Sequence, residues 1–164
     1  MQENTSCRHR ASGKRYCYNR TMTEFDALAE TLLESQCWVI DPLPMRVPAD
    51  SPGQYFSLAD CFHTESLFQS FAAILLKLNC YRDFQVSFRD TWIKNPAGAD
   101  LCAWVSKCRS TQERLAVLLP FEETLITLDG DDNHMTLFHP TEELLDLVRQ
   151  LAAAEGLFVW EGIS

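Results

Sequence analysis

Six consecutive residues, Asp129-Gly130-Asp131-Asp132-Asn133-His134, gather three carboxylates, an amide and an imidazole. Groups of this kind hold hard cations through oxygen, move protons, or attract basic side chains. The same composition also suits a tight turn, because Gly reaches positive φ and Asp and Asn hydrogen-bond their own backbone. The turn reading comes first, and it predicts a positive φ at Gly130. The spacing is not that of a calcium loop, since the D-x-D-x-D-G order and the closing Glu of an EF-hand are absent. Three carboxylates this close repel one another, so a cation or a basic side chain beside them is stabilising.

The other candidates are dispersed. His134 and His139 are five residues apart, and in a strand such residues face opposite sides. Asp132 and His134 share a face if the strand reaches that far. His139 and His63 each stand next to a helix start, where a capping role is ordinary. Cys7, His9 and Cys17 match no standard zinc spacing. Asp41, Arg46 and Trp38 lie in or beside a proline-rich stretch, 41–53. Arg46 is the only Lys or Arg between Met22 and Leu76, so it meets either a carboxylate of the protein or an anionic ligand. The candidate binding residues are therefore Asp129, Asp131, Asp132, His134, Arg46, Asp41 and Trp38. No catalytic residue, metal site or cofactor is assigned.

Several chemistries are excluded by what is missing. The six glycines are isolated, so there is neither a Walker loop nor a dinucleotide fingerprint. There is no G-x-S-x-G, no H-E-x-x-H and no paired-cysteine zinc signature. The seven cysteines form no CxxC pair, and their odd number with no secretory h-region predicts reduced thiols in a cytoplasm. Cys37, Cys80, Cys102 and Cys108 lie in or beside apolar segments, where free Cys acts as a small hydrophobe.

Charge is unevenly placed. Residues 1–21 carry five of the 14 basic side chains and one of the 23 acidic ones, which leaves nine basic and 22 acidic in the rest. An excess of −13 repels phosphate backbones and anionic lipid, so the expected partner is a basic protein rather than nucleic acid or membrane. No apolar run approaches the length of a membrane span. Residues 1–21 have no apolar period and are expected to be a disordered basic extension, with Met22, just ahead of a good helix start, as a candidate initiator.

These residues need elements to position them. Thr23 with Asp26 forms an N-cap pair, and Phe25, Leu28, Ala29, Leu32 and Leu33 make one apolar stripe, predicting a helix from about Glu24 to Ser35. A short strand, Cys37 to Ile40, follows. Four prolines between 41 and 53 exclude helix and central strand there. Residues 55–62 are ambiguous between strand and helix. A helix from Glu65 to about Asn79, capped by Thr64, is apolar almost all round and should be the central packing element. Residues 84–89 alternate as a half-buried strand, and 91–98 read as a loop. A short helix, about Asp100 to Cys108, precedes the continuously apolar strand 115–119. The strands 124–128 and 135–138 flank the acidic turn. A capped amphipathic helix from Glu142 then leads to a last strand, 157–160, with Gly156 as its C′ residue.

The predicted fold is α+β: a single domain over 22–164, with a mixed, mostly antiparallel sheet of about five or six strands packed with about four helices. In general character, being small, acidic and without catalytic motifs, the chain resembles bacterial immunity and antitoxin-type proteins. No motif carries that likeness, and it transfers no residues. The expected function is a cytoplasmic binding or accessory module that meets a protein through an acidic face. The alternatives are an enzyme that uses the carboxylates and His134 around a divalent cation, and a small-ligand sensor with its pocket near Trp38 and Arg46.

Overall fold

The computed structural model describes residues 22–50 and 53–163. The expectations for residues 1–21, including disorder, lie outside the described residues. In chain order the elements are α1 (Glu24–Leu32), β1 (Cys37–Asp41), α2 (Tyr55–Phe62), α3 (Glu65–Asn79), β2 (Gln85–Phe88) and β3 (Trp92–Lys94). Then come α4 (Gly98–Thr111), β4 (Arg114–Leu119), β5 (Thr124–Asp129), β6 (Met135–Phe138), α5 (Glu142–Ala154) and β7 (Phe158–Glu161). The strands form one sheet in the order β3-β2-β4-β5-β6-β1-β7, and every neighbouring pair is antiparallel.

The α+β class is as predicted, with seven strands instead of five or six and five helices instead of four among the described residues. The added strand is β3, inside the segment read as a loop. Three residues are too short to show an alternating pattern, and pairing with β2 is what makes them a strand. The added helix is α2, in the ambiguous stretch. α4 opens two residues earlier than predicted and runs three residues further, to Thr111, ending where Gln112 turns left-handed at φ 56.

Local chemistry explains the ends of the other helices. Thr23 and Asp26 form a full capping box on α1. The hydroxyls of Thr64 and Thr141 accept from the amides of Leu67 and Leu144. Gly156 closes α5 at φ +74, which glycine adopts without the steric cost of a Cβ.

The main core lies on one face of the sheet. Val86, Leu115, Val117, Ile126, Leu128, Met135, Leu137 and Ile40 meet α3, α4 and α5 there. α3 touches both other helices of that layer, and its Phe71, Ile74, Leu75 and Leu78 are fully buried. Each such side chain stabilises the fold by about 1.5–3 kcal/mol relative to exposure, which makes α3 the central packing element. On the opposite face a smaller cluster of Leu32, Leu118 and Leu125 packs with Phe25, Leu28, Trp92 and Phe138. α1 therefore covers the end of that face where β5 begins, and β5 ends on the acidic turn.

Candidate functional site

The turn sits at the end of the β5–β6 hairpin. Its first carboxylate is already occupied. Asp129 lies directly opposite Arg114 in the β4–β5 register and accepts from Arg114 Nε at 2.6 Å and Nη2 at 3.1 Å. Asp131 is exposed. Asp132 is half-buried, and its Oδ2 lies 3.8 Å from His134 Nε2. Burial raises the Asp132 carboxyl above its ordinary range; His134 and Arg114 oppose this, and Asp129 and Asp131 add to it.

Asp41 belongs to the same neighbourhood. Ile40 pairs with Met135, and continuing that register one residue sets Asp41 opposite His134. Asp41 is 8% exposed, and its Oδ1 accepts from the Leu43 amide at 2.6 Å. Burial raises its pKa, against the Leu43 hydrogen bond and the nearby His134. Five of the seven sequence candidates thus fall in one region: Asp41, Asp129, Asp131, Asp132 and His134. Trp38 does not join them, because it packs with Ile40 on the helix-covered face. Arg46 is exposed and makes no ion pair among the described residues. The tryptophan that meets the proline-rich loop is Trp160, whose Nε1 donates to the Leu43 carbonyl at 3.1 Å.

Gly130 corrects one expectation. Its φ is not positive. Glycine is needed there because a Cβ would stand 1.9 Å from the Cys108 carbonyl oxygen and 2.8 Å from Gln112 Cα. The turn is pressed against the end of α4, and Gly130 N–H donates to the Glu113 carbonyl at 3.1 Å. The other two described histidines do not cap the helices they precede, where Thr64 and Thr141 serve as N-caps. His139 Nδ1 donates to the Glu123 carbonyl at 3.1 Å, at the far end of β6 from His134.

The turn is also tied to α2, which sequence reasoning missed. Asn133 Nδ2 donates to the Ala59 carbonyl at 3.0 Å. Its Oδ1 is left to accept, so His63 Nδ1 carries the proton of their 3.0 Å bond. The His63 ring meets Phe68 of α3 edge-on, with centroids 5.1 Å apart. α2 itself has no buried residue. Phe56 is 78% exposed and Leu58 is 41% exposed. Tyr55 stacks along the helix on Phe62, with centroids 6.4 Å apart. The missed signal was the pairing of an amphipathic Tyr55–Phe62 segment with His63, since the imidazole needed a partner from elsewhere in the fold.

The pattern of ion pairs sets the local electrostatics. Lys77, Arg82, Arg89, Lys94, Arg114 and Arg149 each pair with carboxylates of the described residues. Those six are most of the nine basic side chains after residue 21, so the acid excess is left facing solvent. No group of three or more His, Cys, Asp or Glu among the described residues has the geometry to hold a metal ion.

No protein family, curated protein or solved structure matches the chain. Fold and site together define a small α+β body, with a seven-stranded antiparallel sheet and a carboxylate-rich turn hydrogen-bonded to α2, a helix with no buried residue.

Proposed function

We propose that this protein is a binding or accessory module that engages a basic protein through the joint surface of the acidic turn and α2. The observation that carries the reading is the clamp from Asn133 to Ala59 and His63. It joins α2, with its exposed Phe56 and Leu58, to the turn that carries the exposed Asp131 and the half-buried Asp132. A protein contact combines apolar anchors that supply affinity with charges that steer and orient the partner. A partner with Lys or Arg flanking an apolar side chain complements both parts.

The acid excess disfavours phosphate backbones and anionic lipid as direct partners. No helix among the described residues is long and apolar enough to cross a membrane. The free thiols at Cys37, Cys61, Cys80, Cys102 and Cys108 suit a reducing compartment, and we place the module in the cytoplasm.

The test is capture from host extract with the full chain, Phe56→Ala, Asp131→Asn and a control, Lys107→Ala, in α4. The expected partner is held by the full chain and the control, lost by both surface variants, and released as salt rises. Partners that bind all four proteins equally, or that salt does not weaken, would overturn the reading.

A further inference from the structure

The two edges of the sheet differ. On one side β3 has three residues, and its Lys94 is paired to Asp83 at 3.2 Å. The chain then turns through Asn95 at φ 41 into Pro96. Short length, charge and proline are the devices by which sheet edges avoid pairing.

β7 has less protection. Among the described residues it pairs with β1 alone, from Phe158 to Glu161. The Gly162 amide donates to the Cys37 carbonyl at 2.8 Å, which sets the phase of the ladder. In an antiparallel pair, alternate residues turn both backbone groups toward the neighbour. Phe158 and Trp160 therefore face β1, while Val159 and Glu161 direct N–H and C=O outward from the sheet. Phe158 is 47% exposed and Ile163 is 73% exposed at this edge.

The edge is continuous with the surface already described. Leu157, just before β7, lines a groove of about 260 Å³ with Pro42 and with Cys61 and Phe62 of α2. A strand laid along β7 would run toward that groove and on to α2.

We propose that β7 is a β-strand addition site, which takes an extended segment of alternating basic and apolar residues from the partner. This rests on the preceding reading and names how the partner docks. Main-chain hydrogen bonds to Val159 and Glu161 supply affinity, and side-chain contacts supply selectivity. The exposed Phe158 receives the apolar positions on its face of the strand, and Glu161, three residues on, lies on the opposite face. The carboxylate of Glu161, on a body already rich in acid, favours the basic ones. A second copy of this chain is the poorer occupant, because it would bring two acid excesses together.

The probe is a capped peptide of alternating lysine and valine, added to the isotopically labelled full chain with amide hydrogen exchange read by NMR. Saturating peptide is expected to slow exchange at Val159 and Glu161 by about tenfold or more. Glu161→Pro removes the outward N–H and leaves the ladder to β1 intact, whereas Glu161→Ala removes the same side chain and keeps the N–H. The alanine variant should bind the peptide and the proline variant should not. Unchanged exchange at Val159 and Glu161 in the wild-type chain, or equal binding by the two variants, overturns strand addition. Slowing that grows with protein concentration and needs no peptide assigns the edge to a second copy and also overturns it. If the salt-sensitive capture through Phe56 and Asp131 persists in either case, only strand addition fails; if that capture is absent, the preceding reading fails by its own test.

Discussion

Arg114 and Asp129 face each other across β4 and β5, joined by two hydrogen bonds of 2.6 and 3.1 Å. The protein thus neutralises one of the three turn carboxylates itself, while Asp131 is exposed and Asp132 is half-buried beside His134. The side chains are 54% and 27% exposed, so the pair belongs with surface ion pairs in energy. A double-mutant cycle with Arg114→Ala and Asp129→Ala should give a coupling of about 0.5–1 kcal/mol. Denaturant midpoints at low and high salt should show the coupling shrinking as charge is screened.

Gly130 and Gly156 are both glycines for backbone reasons, but the reasons differ. A Cβ at Gly130 meets the Cys108 carbonyl at 1.9 Å, while one at Gly156 meets nothing within 4 Å. Gly130→Ala forces α4 and the hairpin apart and should cost about 3 kcal/mol or more. Gly156→Ala has only the left-handed backbone to contend with and should cost about 1–2 kcal/mol. Urea unfolding of the two variants checks the ranking, and equal losses would count against the close packing of α4 on the turn.

Asp41 is ionised against the preference of its site. Burial raises its pKa above the ordinary 3.8, so the folded state holds the proton more tightly than the unfolded chain does. The resulting penalty is fully present above the raised value and disappears as pH falls through it toward 3.8. Asp41→Asn keeps an oxygen that can accept from the Leu43 amide. It should be more stable than wild type at neutral pH, and the advantage should narrow in acid. Thermal midpoints between pH 7 and about pH 4 test the sign.

Thiol reactivity should divide by burial. The Cys108 thiol is pushed up to about 12 by burial, aided by the charges of Glu113 and Asp129. Burial also raises the Cys37 thiol, with Glu161 adding to it. Cys61, Cys80 and Cys102 are exposed. Since the thiolate is the nucleophile, brief alkylation near neutral pH should label these three. Cys37 and Cys108 should react only after unfolding. Peptide mass spectrometry reads each site, and early labelling of Cys108 would contradict its packing.

The Cys80 and Cys102 exposures also show where reading the sequence went astray. Both stand beside apolar residues, which suggested burial. The orientation of each helix decided otherwise, because α3 and α4 turn those positions to solvent. Periodicity identified the buried stripes of α4 and α5, and near-continuous apolarity marked α3 as the core helix, because each is a property of one helix. It offered nothing comparable for β3, whose strand character depends on pairing with β2.

Local chemistry, written in the order of the residues, determined much of this protein. The capping threonines at 23, 64 and 141, the apolar stripe of α5, the left-handed Gly156 and the hairpin around the acidic turn are all set by neighbours within a few positions. Such features depend on backbone sterics and short-range hydrogen bonds, so they are legible from sequence alone. Tertiary structure decided which distant groups meet. Arg114 reached Asp129, His134 came opposite Asp41, and Asn133 clamped α2. These relationships follow from strand register and helix docking, which depend on the packing of the whole core.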